Sequence, residues 1–499
     1  EVDNILSLLE GRAVEERTAE LMEKARKENG SHSSEGGDIS FSLSVSPEFY
    51  AHSNEEEYNL ESSWIHGFDY RKAFLMGEMD VNFFDKFHLY SNLSLGWGRT
   101  TYKDEWTLLK DMPQYSGVGA IVSKDDETAS IVTSSYLYSK AFLFSFPDIS
   151  MLNIETPTRN YISTGGDGWF LTLSKDKLEW NKSHIGSFIF DSHLEYQEYL
   201  RFKLFGDKLG LEFVIEYFDT DTSNNVMSDG SGIYRLFSAH AISYRPVPSL
   251  SFTLSENIMY VSDSVDPHYL NPSTLYHNLN NSTLLNAIAH VAFSFSPMKG
   301  VNTYGQFVLD QATAPTEAST QAAAWGISLG IEGAKRIKNG TFTYNVEGAY
   351  TTPELYRREN ADFLLFQRYS TNLNYKRFLF FDYFGFPYGG DAIVIEGEGA
   401  WESYNGWKIG VRGEYLLHGK MGFFTSHSTT GDNSKVPDIK DSTPYGEDTK
   451  RYTLSFYGEW EIMEIRYVKE MDLRFALDLT KTTKDSGDFQ FSAGMTIKI

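Results

Sequence analysis

Residues 206–217 read Gly-Asp-Lys-Leu-Gly-Leu-Glu-Phe-Val-Ile-Glu-Tyr: a tight polar turn, then Leu209, Leu211, Phe213, Ile215 and Tyr217 at every second position. Successive side chains of a strand point to opposite faces, so this spacing predicts a sheet with one apolar face. The same period extends in both directions along the chain. Phe41, Leu43 and Val45 alternate with Ser40, Ser42, Ser44 and Ser46. Val291, Phe293 and Phe295 share a face, as do Phe342, Tyr344, Val346 and Tyr350, and Leu473, Phe475, Leu477 and Leu479. Their opposite faces carry Ser, Thr, Asn, Glu and Lys.

What joins the strands decides the architecture. Tight turns fall at Gly206 to Lys208, Pro246 to Pro248, Pro297 to Gly300, Lys335 to Gly340 and Asn405-Gly406. Longer polar connections fall at Asp219 to Ser231, Val261 to Leu285, Asp310 to Gln321, Thr351 to Asp362 and His418 to Lys450. Between Gly206 and Gly340 the two kinds alternate strictly, the rhythm of a membrane barrel with short periplasmic turns and long external loops. Tilted strands of about ten residues cross a bilayer. Lipid cannot satisfy the open edges of such a sheet, so it must close on itself. The expected fold is all-β, a transmembrane antiparallel β-barrel over residues 39–499. It should have about 18 strands, within a range of about 16–22, roughly sixteen of them after Trp169. Trp64, Tyr90, Trp97, Trp169, Trp180, Tyr260, Trp325, Trp401, Trp407 and Trp460 are the candidates for interfacial aromatic girdles.

Composition narrows the function classes. The 499 residues carry 44 Lys plus Arg against 68 Asp plus Glu, a formal charge of -24 that argues against nucleic acid as a partner. Aromatics are high at 15%, against 41% hydrophobic residues overall. No apolar run reaches the roughly 18 residues of a membrane helix. The absence of cysteine removes disulfides, thiolate catalysis and zinc-thiolate sites, and suits passage through an oxidising compartment. Glu1 to Asn4 show neither the basic start nor the apolar run of a signal peptide, so the sequence reads as a mature chain or one never exported. Residues 1–38 are expected to form a short α-helical segment and linker, periplasmic or plugging the barrel. Val2, Ile5, Leu6, Leu9, Leu21, Met22 and Ala25 recur at helical spacing, with Glu20/Lys24 and Glu23/Lys27 as i,i+4 pairs. Ser31 to Asp38 reads as a flexible joint.

Several local patterns carry no chemistry. Gly326-Ile327-Ser328-Leu329-Gly330 matches a nucleophile elbow, but it lies within a strand where that motif needs a strand-to-helix turn. Asp219-x-Asp221-x-Ser223 starts like a calcium loop, yet Asn224 replaces the turn glycine and Gly230 the closing glutamate. His268 and His277, near Asp263 and Asp266, match no ligand spacing. No metal, no cofactor and no catalytic set is expected, and the chain reads as a non-enzyme. Asp263 to Asn281 is richer: its aromatic faces and amides are the groups that bind sugars, although Asn and Pro are also good loop formers.

Two stretches resemble the capsule-assembly Wzi family of outer-membrane barrels. The first is Gly168 to Val214, with Trp180 in a loop and an apolar run ending in Asp191. The second is Ser249 to Asp310, where Tyr269-Leu270-Asn271-Pro272 and Tyr276-His277-Asn278 precede Tyr304-Gly305-Gln306-Phe307. The resemblance implies a barrel in the outer membrane of a diderm bacterium that holds surface polysaccharide. Trp180, Asp191, Tyr269, Asn271, Tyr276 and His277 would be the contacts or loop organisers. Phe489 to Ile499 alternates to its last residue and resembles the signal read by the barrel-assembly machinery, with Ile497 where an aromatic is usual. The competing reading is a general diffusion porin, cation-preferring if its acids line the lumen. An outer-membrane lipase would need a converging nucleophile, base and acid that no spacing reveals.

Overall fold

The computed structural model describes residues 32–34, 37–53, 72, 74–84, 86–97, 159–194, 196–218, 234–262, 266–276, 285–311, 322–358, 361–371, 376–422, 442–465, 468–483 and 487–499, with short pieces between 100 and 157. Eighteen antiparallel strands form one closed ring. β1 runs from Gly37 to Val45 and resumes as Glu48–His52 past Pro47. β2 is Leu75–Phe83, β3 Phe87–Trp97, β4 Asn160–Gly166, β5 Trp169–Asp176 and β6 Gln197–Phe205. β7 is Leu209–Tyr217, β8 Tyr234–Val247, β9 Leu250–Ser262, β10 Leu285–Met298, β11 Val301–Gln311 and β12 Ala324–Ile337. β13 is Gly340–Thr351, β14 Ala392–Ser403, β15 Trp407–His418, β16 Thr449–Ile465, β17 Val468–Thr482 and β18 Asp488–Lys498. Each strand pairs with the next, and β18 returns to β1 through Ser44 opposite Lys498 and Glu48 opposite Gly494.

Three details differ from the sequence reading. Of the sixteen strands after Trp169, two (Leu364–Thr371 and Lys376–Tyr383) pair with each other and stand outside the wall, because β13 pairs directly with β14. β8 and β10 run on through Pro246 and Pro297, where the register shifts; proline has no N–H to give the ladder and is tolerated at a bulge. His32–Ser34 pairs with Gly37 to Ile39, so part of the expected flexible joint is a hairpin at the start of β1. The expected N-terminal helix lies outside the described residues.

The two faces of the wall are inverted relative to a water-soluble sheet. Leu211, Ile242, Leu254 and Val291 lie on its outer face, each 43 to 57% exposed. Inward neighbours include Glu212, Ser255, His290, Gln306, Glu347 and Asp478, all buried. This arrangement places hydrocarbon outside and polar groups inside, as in a transmembrane barrel. Aromatic residues mark both rims. Trp169, Trp460 and the Trp401–Trp407 pair, 4.3 Å apart, sit at the short-turn end. Trp325–Tyr350 and Tyr415–Tyr452 sit at the long-loop end. Tyr90 and Trp180 do not belong to these girdles: Tyr90 points inward and donates to Glu78 at 2.7 Å, and Trp180 is on a loop inside the barrel.

Leu254→Arg should therefore cost about 2–4 kcal/mol of folding stability in lipid, the depth-dependent cost of a cation on the outer face, while Thr253→Arg, facing inward, costs much less. Urea unfolding in lipid vesicles measures the difference, and equal costs would contradict the assignment of faces.

Candidate functional site

The space inside the ring is occupied by parts of two connections, one of which, beginning with Thr351 to Asp362, was expected to be an external loop. Residues 177–194, between β5 and β6, and, from the connection between β13 and β14, residues 352–358, 361–364 and 383–391 fold into the lumen and share one apolar core. Phe188, Ile189 and Phe190 from the first meet Tyr356, Phe363, Phe384 and Phe386 from the second, all at most 1% exposed. Rings lie 5.1 Å apart between Phe190 and Phe384 and 5.2 Å apart between Phe188 and Phe386. The wall supplies Val214, Phe237, Met259, Ile288, Val308 and Val394, so its inward face is apolar where the plug sits.

Close backbone approach joins the two segments. A β-carbon on Gly385 would sit 2.2 Å from the Phe188 carbonyl oxygen, and one on Gly186, at φ +124, would sit 2.2 Å from Pro387 Cδ. Only glycine fits either position. The Tyr356 hydroxyl donates to the Phe188 carbonyl at 2.7 Å and accepts from Phe386 N–H at 3.2 Å.

Polar contacts fix the first segment to the wall. The Trp180 indole N–H donates to Glu212 at 2.8 Å, and Arg201 and Lys203 satisfy the same carboxylate at 2.7 Å each. Asp191 accepts from Ser187 N–H at 2.6 Å and from His193 N–H at 2.9 Å, closing the turn. Trp180 and Asp191 thus organise the plug.

A row of glutamates, which the sequence reading did not single out, receives it. Glu347, Glu396 and Glu414 stand directly opposite one another on β13, β14 and β15. Like charges so placed repel. Each carboxylate is answered. Arg412 reaches Glu396 at 2.8 Å, and Arg451 and the Tyr388 hydroxyl each reach Glu414 at 2.8 Å. Glu347 accepts from Ser183 Oγ, His184 N–H and Tyr304 OH at 2.8, 2.7 and 2.9 Å. Lys182 and His184 pair with Glu332 on β12.

Between this plug and β15–β16 lies a cleft of about 380 Å³. Lys177, Glu179, Asp191, His193, Tyr388, Arg412, Glu414, Arg451 and Thr453 are among its walls. Burial pushes the Glu179 carboxyl above the ordinary carboxylate range, against the pull of the Ser192 hydroxyl that donates to it at 2.7 Å.

The remaining residues singled out from sequence lie on the other side of the wall. Residues 266–276 fold down over the outer face of β8–β10. Tyr276 is fully buried there. It shares a hydrogen bond with Ser238 at 2.9 Å, its N–H donates to Glu256 at 2.9 Å, and its ring lies 4.6 Å from His240. Burial pushes its hydroxyl up to about 12. Tyr269 packs on Tyr260 at 4.3 Å, and the Asn271 side-chain oxygen Oδ1 accepts from Ser273 N–H and Oγ. The strap shields three polar outward side chains from lipid. His277 and the Asp219 to Gly230 loop lie outside the described residues. The Gly326–Gly330 motif is inside β12, with Ser328 buried and pointing inward, and no nucleophile elbow forms.

No protein-family model and no curated protein matches the chain. Among solved structures, it is similar to Wzi, an outer membrane protein involved in group 1 capsule assembly in Escherichia coli and a carbohydrate-binding β-barrel. Identity is 13% over 92% of this chain and 84% of that one, with a TM-score of 0.49. It is similar to the outer membrane protein OprD from Pseudomonas aeruginosa at 8% identity, covering 92% and 94% of the chains, TM-score 0.41. OccAB4 of Acinetobacter baumannii is 10% identical over 95% and 99%, TM-score 0.42. The chain is a closed antiparallel β-barrel with the apolar outer face of a transmembrane barrel, and in fold it is similar to both Wzi and the OprD and Occ porins.

Proposed function

We propose that this barrel holds surface polysaccharide at the outer membrane, without catalysis and without free diffusion through its lumen. One observation carries the reading: the plug is a packed aromatic core, not a constriction lined by water. Side chains such as Phe188, Phe190, Phe384 and Phe386 are as buried as the interior of a soluble domain, so the described part of the lumen offers ions no hydrated path there. The resemblance of residues 168–214 and 249–310 to capsule-assembly barrels supplies the ligand class. Trp180 and Asp191 act in this reading by holding the plug, Tyr276 by holding the outer strap. Tyr269, Asn271 and His277 are the proposed polymer contacts. The alternating strand β18 is the element offered to the barrel-assembly machinery.

Planar-bilayer recording on the full chain, together with co-sedimentation with the host's own surface polysaccharide, tests the reading. Near-zero conductance and saturable polymer binding are expected. A large steady cation-selective current with no glycan binding would replace it with the porin reading.

A further inference from the structure

We infer that the cleft between the plug and β15–β16 binds an uncharged sugar unit, one or two rings long. The inference rests on the polysaccharide reading above and names the chemistry of one subsite. A volume of about 380 Å³ lies at the small end of ligand pockets, about 300–1,000 Å³, too small for a folded partner and ample for one or two rings.

The walls select against a charged ligand. Arg451 is held by Glu414 at 2.8 Å, Arg412 by Glu396 at 2.8 Å, Lys177 by the Ser192 carbonyl at 2.9 Å, and Asp191 by His193 at 2.6 Å. An ion entering here must break one of these pairs, whereas a polyol can use the lone pairs and protons they leave over.

Two residues of the wall hold unsatisfied polar atoms. Thr453 is only 8% exposed, and its hydroxyl, like Arg451 Nε two residues away on the same face, finds no hydrogen-bond partner among the described residues. Both atoms lie just beneath the cleft surface, where a side-chain adjustment would present them to a ligand. Buried polar atoms without partners are costly, and a ligand hydroxyl supplies both an acceptor and a donor. Ile185, Pro387 and the Tyr388 ring add the apolar surface against which the C–H face of a sugar packs.

The test uses the detergent-solubilised full chain with neutral disaccharides, the corresponding uronic acids, and the host polysaccharide. Saturation-transfer NMR reads the small ligands and co-sedimentation reads the polymer. Thr453→Val removes the hydroxyl without changing shape and should weaken disaccharide binding about five-fold, the loss of one hydrogen bond. Thr453→Trp fills the cleft and should abolish it. Heat-modifiable gel migration of each variant checks that the barrel has closed. The cleft assignment is overturned if wild type binds no neutral disaccharide, if it prefers the uronic acids, or if Thr453→Trp binds undiminished. In each of those cases continued polymer binding leaves the polysaccharide reading intact, and loss of polymer binding by wild type removes that reading itself.

Discussion

Gly385→Val should turn a silent barrel into a conducting one. The added β-carbon would stand 2.2 Å from the carbonyl oxygen and 2.7 Å from the carbonyl carbon of Phe188, both backbone atoms, and 2.9 Å from the Tyr356 hydroxyl. Rotation of a side chain cannot relieve such a clash, so the two plug segments must separate. Overpacking of this kind costs about 1–3 kcal/mol or more. Each ~1.4 kcal/mol lost from plug seating raises the unplugged population about ten-fold. The wall is untouched, since Gly385 belongs to no wall strand. Single-channel recording should show openings in the variant, with heat-modifiable migration preserved. Gly413→Ala on β15 is the control, because a β-carbon there meets nothing within 4 Å. A Gly385→Val barrel as silent as wild type would show that the plug core does not block the lumen.

Glu347→Ala should loosen the other end of the plug. Its carboxylate, 1% exposed, accepts from a hydroxyl, a backbone N–H and a phenol at once. Removing it leaves the buried Tyr304 hydroxyl and the half-buried His184 N–H without their acceptor, at about 1–3 kcal/mol each and not additively, for a total on the order of 2–4 kcal/mol. Ser183 Oγ keeps the Gly186 carbonyl at 2.8 Å. Glu347→Gln keeps one strong acceptor oxygen and should lose less. Hydrogen exchange locates the effect: amides 183–190 should lose protection in the alanine variant while β12 to β14 keep theirs. Unchanged protection at His184 and Phe188 would mean that the glutamate row does not seat the plug.

The wall was legible in the sequence because each strand repeats the same local signal. Leu209, Leu211, Phe213 and Ile215 fix one face by themselves, and the turn rhythm between Gly206 and Gly340 fixes the pairing order. Sequence alternation cannot say whether a connection folds inward or outward, since both positions begin and end at the same rim. The plug did leave a trace: Phe188-Ile189-Phe190 and Tyr383-Phe384 are apolar at consecutive positions, without the period of two that marks the wall. A strand count cannot set aside the pair Leu364–Thr371 and Lys376–Tyr383, because only three-dimensional pairing shows β13 bypassing it. The site residues suffered the same limit. Trp180 and Asp191 lie inside the ring, Tyr269, Asn271 and Tyr276 outside it, and no spacing in the chain encodes which side of a hydrogen-bonded sheet a loop chooses.

The seam has a consequence for biogenesis. Ser44 meets Lys498 and Glu48 meets Gly494, so the ring cannot shut until nearly all of the chain has been delivered. Until then β1 carries an unpaired edge, whose backbone groups only the last strand can satisfy. Maturation of this protein thus ends at the seam, where its two margins are sewn together last.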